Sequence, residues 1–336
     1  MRLLATAGLT ESDARVVAES LVESNLRGID SHGVARLPHY LNRIRHGSIK
    51  ARPSMRFEQV GQAVGRLDGG DGLGQLVMHR ATAEAVALAS QAGAGWVAVG
   101  NSSHCGALAY YGLQIARAGM IGFVFTHVDP MVLPHGARKP FCGTNPICLT
   151  APGADGQALC LDMATSVVPW NTIANAAMEG VAIPPGWAVD EHGQDTTDAR
   201  KVVGLYPFAG HKGSGLGLMI DILCSMLSGG PFGPNIPKMY GYMTQRRELG
   251  GLVGAIRIEN FVPLQFFHQR IGELIQQWGQ TPPVESGGRV LYPGEPEMLC
   301  REERLRTGIP LGIQLLETFE NLVHTYNLQQ TLTYET

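Results

Sequence analysis

The run from Arg27 to Tyr40, RGIDSHGVARLPHY, places two histidines, two arginines, an aspartate, a serine and a tyrosine within fourteen residues. An imidazole titrates near neutrality, so His32 can give or take a proton alongside a hydride transfer. Arg36 stands four residues before Tyr40, which puts both on one face if the segment is helical. A guanidinium fork grips a carboxylate through two parallel hydrogen bonds, and a nearby phenol suits the same anion. Plainer readings stay open from these residues alone. His32 could bond the backbone of a turn, Arg36 could sit in a surface ion pair, and Tyr40 also fits an apolar stripe.

A second cluster is GNSSHCGALAY, where His104 follows a strand and precedes a helix. Loops at strand ends are where α/β proteins place chemistry. Further on, HVDPMVLPHGARKPFCGTNP holds Asp129 and the irregular run Gly143, Thr144, Asn145, Pro146. LDMATS closes a strand with Asp162, Thr165 and Ser166, all able to bind ribose or phosphate oxygens. Lys212 precedes the glycine-rich HKGSGLGLMIDILCSMLSGG, where a lysine opposes the helix dipole unless an anion lies between them. Its Gly213, Gly215 and Gly217 imply close approach of another group to the helix start. LYPGEPE reads as a tight turn late in the chain.

Several elements must position these groups. Thr10 with Asp13 forms a capping pair, and Ala14, Val17, Ala18, Leu21 and Val22 share the face of the helix that follows. A second helix starts near Pro38 with Leu37, Tyr40, Leu41 and Ile44 as its stripe. Residues 52–70 read as extended, and 76–92 as an alanine-rich helix. Then come a strand at Val97–Val99, a helix at Ala107–Ala118 and a strand at Ile121–Phe125. ICLTAPG and ALCLDMA read as short strands, and helices near 263–278 and 310–325 close the chain.

The usual nucleotide signatures fail. Gly213, Gly215 and Gly217 do not match G-x-G-x-x-G, and His211 separates Gly210 from Lys212, which breaks the phosphate-loop pattern. G-x-S-x-G is absent too. This argues against a Rossmann domain but not against a nicotinamide cofactor held another way. The chain has 336 residues, 44% hydrophobic and 16% charged, with mean hydropathy +0.01 and formal charge −3. No basic run supports nucleic-acid binding. Its six cysteines form no C-x-x-C pair and no zinc-finger spacing, so buried free thiols and no metal are expected. Without a signal peptide or a run of about 20 apolar residues, a soluble cytoplasmic protein is expected.

Taken in order, RGIDSHGVARLPHY, NSSHCGALAY, DPMVLPHG, GTNP, DMATS, IPPGWAVDEHGQDTTD and HKGSGLGL resemble the malate/L-lactate dehydrogenase family of the second type. The resemblance spans roughly residues 8 to 327. It implies an α/β fold of α+β character without a Rossmann domain, in which a mixed, largely antiparallel nicotinamide-binding sheet is flanked by helices. A discontinuous helical, substrate and dimerisation domain (1–115 with 255–336) and a cofactor domain (116–254) are expected. It further implies a homodimer that uses NAD, or NADP, on a small 2-hydroxy acid, with no nucleic-acid or membrane partner. DPMV, PFG followed by Met239-Tyr240, and YPGEPE are similar to the ureidoglycolate dehydrogenases, which implies oxidation of ureidoglycolate to oxalurate. The resemblance makes His104 the base, with His32 as second candidate. Arg36, Tyr40 and Asp129 would meet substrate. Asp162, Met163, Ala164, Thr165, Lys212, Gly294, Glu295 and Pro296 would hold the cofactor. Ser214 and Val128 depart from the family pattern. Malate, lactate, other 2-oxo acids and cyclic imines remain alternatives, as do a metal-dependent lyase or hydrolase on His32, His104 and Asp129, and a non-catalytic acid binder.

Overall fold

The computed structural model describes residues 1–285 and 287–328. The chain opens with a short helix α1 (Arg2–Thr6) and α2 (Glu11–Leu26). Thr10 caps α2 by accepting from the Asp13 amide at 3.2 Å, and Ala14, Val17 and Leu21 are its buried face. Helix α3 (Leu37–Arg45) begins with Pro38 in its first turn and buries Leu37, Tyr40, Leu41 and Arg43. The strands β1 (Arg56–Gln59) and β2 (Val64–Asp68) lead into α4 (Gly74–Ala92), β3 (Ala94–Ser102), α5 (Ala109–Arg117) and β4 (Met120–Thr126). Next come β5 (Ile147–Pro152), β6 (Ala158–Met163), α6 (Trp170–Glu179), and the two-residue strands β7 (Ala188–Val189) and β8 (Gly204–Leu205). Helix α7 (His211–Ser225), β9 (Leu249–Arg257), α8 (Leu264–Gly279), α9 (Glu295–Thr307) and α10 (Ile313–Thr325) complete it.

Seven strands make one sheet in the order β1-β2-β3-β9-β4-β5-β6. Every pairing is antiparallel except β2 with β3. The mixed, mostly antiparallel sheet expected from the sequence is present. On one face, α4 and α5 bury Val77, Ala81, Ala85, Tyr111 and Ile115 against Val97, Val99, Val124 and Val253. On the other, Ile220 and Cys224 of α7 pack on Phe125 and Leu252. Each such aliphatic side chain gains about 1.5–3 kcal/mol from leaving water. Residues 249–257 pair with β3 and with β4, so the sheet is continuous across position 115.

The glycines of α7 have an internal explanation. A Cβ on Gly213 would lie 2.0 Å from the Phe208 carbonyl oxygen, and one on Gly217 would lie 3.0 Å from the Thr165 hydroxyl, while Gly215 faces open space. LYPGEPE is more than a turn: it leads into α9, whose Gly294 has φ +92° just before the first helical residue. Cys105, Cys148, Cys160 and Cys224 are buried, Cys142 and Cys300 partly so, and all six are free. Among the described residues no helix is long and apolar enough to cross a membrane.

Candidate active site

The loop after α2 is held from both sides. The Asn25 side chain accepts from the Val34 amide at 2.8 Å and donates to the Asp30 carboxylate at 2.6 Å. Asp30 also receives two bonds from Arg304 of α9, at 2.7 and 3.0 Å. Gly33 must be glycine here, because a Cβ would sit 2.2 Å from the Asn25 oxygen. Two short 3-10 turns, Asp30–His32 and Val34–Arg36, then aim His32 and Arg36 into a cavity of about 210 Å³.

His104 reaches that cavity from the loop between β3 and α5. Ser103 fixes this loop by accepting from the Gly74 amide at 2.9 Å and donating to the Gly72 carbonyl at 3.0 Å. The two imidazoles stack with centroids 5.5 Å apart and planes 18° apart. The Tyr40 hydroxyl lies 2.7 Å from His104 Nδ1, and Ser31 Oγ lies 2.8 Å from His32 Nδ1. With Nδ1 engaged, His104 Nε2 is left for chemistry. Burial, then the charges of His32, Arg36 and Arg247, hold the His104 pKa well below the usual imidazole value. Burial and Arg36 bring His32 down to about 4. Both rings are therefore neutral at pH 7, the form a base requires.

Arg36 spans three neutral acceptors. Nε donates to the Ser31 carbonyl at 2.6 Å, Nη2 to the Asn171 amide oxygen at 2.6 Å, and Nη1 to the Tyr240 hydroxyl. No carboxylate among the described residues pairs with it, and it lines the cavity. Buried Arg43 of α3 places Tyr240 by donating to the Met239 carbonyl at 2.6 Å and the Gln245 carbonyl at 3.0 Å. Asn171 comes from the first turn of α6. Neither Tyr240 nor Asn171 was foreseen from the sequence; Asn171 stands in an unremarkable helix start, and Tyr240 only in a subfamily motif.

Other expected residues fall in different places. Tyr40 is not in the cavity wall; it is fully buried, and its hydroxyl meets His104. Asp129 does not line it either. It accepts from Nη2 of the buried Arg247 at 2.6 Å, while Arg247 Nε and Nη1 have no hydrogen-bond partner among the described residues. Nothing in the sequence marked Arg247, because a buried arginine and a surface arginine read alike. Asp162, Met163 and Ala164 line the same cavity as His32. Asp162 caps α5 by accepting from the Ala109 amide at 2.7 Å, and burial raises its pKa to about 6 despite that bond. Gly294 and Pro296 line a neighbouring cavity that shares Ile29 and Asp162 with the first. The Glu295 carboxylate is engaged by Arg289 and by the Tyr292 amide. Thr165 donates to the Thr144 carbonyl at 3.0 Å, and Lys212 is exposed on α7; neither lines the two cavities. Val128 is in the cavity wall, and Ser214 accepts from the His135 amide at 3.0 Å.

A family model described as malate/L-lactate dehydrogenase matches residues 1–320. The chain belongs to the malate/L-lactate dehydrogenase family. Within this family it is 38% identical to a malate dehydrogenase of Pyrococcus horikoshii, over 96% of this chain and 91% of that protein. It is 36% identical to a ureidoglycolate dehydrogenase (NAD(+)) of Escherichia coli O157:H7, over 92% and 88%. The solved sulfolactate dehydrogenase of Methanocaldococcus jannaschii superposes with a TM-score of 0.90 at 31% identity, covering 97% of this chain and 94% of that one. Dehydrogenases of this family thus share the sheet and its helices.

The buried histidines make stability depend on pH. Burial also brings His39 down to about 4, aided by Arg43. When unfolded, all three rings regain a pKa near 6.5. Between pH 6.5 and 4 the unfolded chain therefore binds protons that the folded chain refuses. Stability is full above pH 6.5 and lost as pH falls toward 4. His32 alone accounts for roughly 3 kcal/mol of loss at most, since the cavity admits water. Asp162 acts in the opposite sense between pH 6 and 4 and offsets part of the loss. Urea midpoints at pH 7.5, 5.5 and 4.5 should fall in that order; a flat series would contradict the buried-histidine account.

Proposed function

We propose that this enzyme reversibly oxidises a small 2-hydroxy acid to its 2-oxo acid with a nicotinamide cofactor, and that the substrate is ureidoglycolate and the product oxalurate. One observation carries the reading: a neutral imidazole, His104, held at Nδ1 by Tyr40, shares a cavity with Arg36, a cation with no carboxylate partner among the described residues. Arg36 receives the substrate carboxylate on its open edge. His104 Nε2 takes the proton of the 2-hydroxyl, and Nδ1 leans on the Tyr40 oxygen as the ring becomes charged. Bound carboxylate offsets the Arg36 charge that depresses His104, so the base strengthens as substrate arrives. His32 stacks on His104 and keeps water from that face.

The residues present fit a nicotinamide cofactor. Asp162, Met163 and Ala164 border the catalytic cavity, and Gly294 and Pro296 the adjoining one. Gly294 lets the chain pass closely there, since a Cβ would lie 3.0 Å from the Cys160 backbone nitrogen. When bound, the cofactor accepts the hydride. NAD is preferred over NADP in this reading; a relative named for NAD(+) and the Glu297 carboxylate in the wall of the second cavity support it.

The choice of ureidoglycolate over malate rests on charge. Arg36 is the one lysine or arginine in the described wall of the catalytic cavity. A second carboxylate finds no second cation there, whereas a ureido group finds Asn171, the Tyr240 hydroxyl and Ser31. Malate is the runner-up, supported by the relative at 38% identity. A homodimer belongs to the same proposal, supported by the exposed Leu218, Met219, Met226 and Leu227 along and just after α7. The test is absorbance at 340 nm with ureidoglycolate, malate, lactate and sulfolactate, each with NAD and NADP. Ureidoglycolate with NAD should lead malate by at least about tenfold in kcat/KM. Equal or better use of malate would overturn the substrate, and no change with any pair would overturn the dehydrogenase.

A further inference from the structure

Arg27, the first residue of the conspicuous loop, has no role in the site described so far. It is 8% exposed, yet its guanidinium makes no hydrogen bond or ion pair to any described residue, and its Nε is sealed without a partner. The nearby carboxylate of Asp162 is spent on the start of α5. Asp162 lies close enough for its charge to feel Arg27 but makes no hydrogen bond to it. A buried guanidinium with unused donors is costly, and such groups persist where a ligand completes them. Arg27 forms part of the wall of the 340 Å³ cavity beside Gly294, and of a larger cavity of about 560 Å³ beyond it. The first of these adjoins the catalytic cavity through Ile29 and Asp162. It is walled by Trp278, Leu291, Tyr292 and Pro293, flat and apolar groups that suit a purine ring.

We infer that Arg27 anchors the diphosphate of a dinucleotide cofactor, and that the cavity beside Gly294 takes the adenosine end. The inference rests on the dehydrogenase reading above and names the residue that would neutralise the cofactor. A guanidinium fork matches two phosphoryl oxygens at once, and low exposure strengthens the attraction. Because the Arg27 guanidinium bonds no described residue, its replacement removes a ligand contact without removing a described internal one.

Isothermal titration calorimetry with ADP-ribose tests this on the full chain. Arg27→Gln should weaken ADP-ribose at least tenfold, leave oxamate binding at the Arg36 site unchanged, and melt no lower than the parent protein. Arg27→Lys keeps the charge but not the fork and should weaken ADP-ribose about three- to tenfold; it serves as the reading variant if Arg27→Gln does not fold. ADP-ribose binding within twofold of the parent in the variant read overturns the assignment, as does a fall of several degrees in the melting temperature of Arg27→Gln, which would make Arg27 structural. If the parent protein itself binds neither ADP-ribose nor NADH, the dehydrogenase reading fails as well, whereas parental binding with an indifferent Arg27→Gln sinks Arg27 alone.

Discussion

His104→Gln is expected to lower kcat for substrate oxidation about 10³-fold while the KM of the hydroxy acid stays within a few-fold. General base catalysis contributes about 10²–10⁴ in rate, and a base that acts only as charge develops shows in kcat. Glutamine fills similar space, so the cavity is retained. His32→Gln should cost only about tenfold, because His32 Nδ1 faces Ser31 and its ring supports His104 by stacking. Steady-state and single-turnover rates on both variants decide the matter. If His32→Gln is the crippled one, the two roles exchange; near-normal rates in both would end the proton-transfer assignment. The pH profile is a second readout. Burial and the neighbouring charges hold His104 well below its usual value, so kcat/KM for oxidation should stay flat down through pH 6.5 and fall only at lower pH.

Arg36→Lys should raise the KM of the hydroxy acid about 100-fold, close to 2.7 kcal/mol, with a smaller loss in kcat. The side chain is not interchangeable here. Ser31, Asn171 and Tyr240 each take a hydrogen bond from a different guanidinium nitrogen, which presents the remaining N–H groups as a fixed fork. An ammonium group supplies three donors from one point and cannot satisfy three separated acceptors and a carboxylate together. Calorimetry with oxamate should show the same loss without turnover. Unchanged oxamate affinity would place the carboxylate elsewhere.

Periodicity disclosed much of the scaffold. The stripes of α2 and α3, the strand–loop–helix around His104 and the strands ending at Asp162 all follow the spacing of their apolar residues. Helix α9 escaped because EPEMLCREERLRT is charged around its whole circumference and buries only Glu295. Helix α6 escaped because LDMATSVVP ends in a proline that reads as loop punctuation, although Pro169 is its N-cap. The site was legible in its residue types but not in their pairing. Tyr40 and Arg36, four apart, suggested a shared anion; the structure turns Tyr40 inward onto His104. Asp129 looked like a cleft residue, yet its partner is Arg247, 118 positions later. Such pairs depend on which strands meet, and one sequence does not state that.

The position of β9 bears on how the chain comes to fold. Leu249–Arg257 lies between β3 and β4, strands made more than a hundred residues earlier. Until it arrives, both present unpaired edges, the kind that invite association with other chains. Closing the sheet late means long loops closed at high entropic cost, which slows folding. A chain emerging from the ribosome therefore carries His104 and the Asp162 strand on two incomplete half-sheets, and the catalytic cavity between them takes shape only when synthesis has passed residue 257. Nascent chains of this protein should lean on chaperones through that interval, and fragments ending before β9 should aggregate.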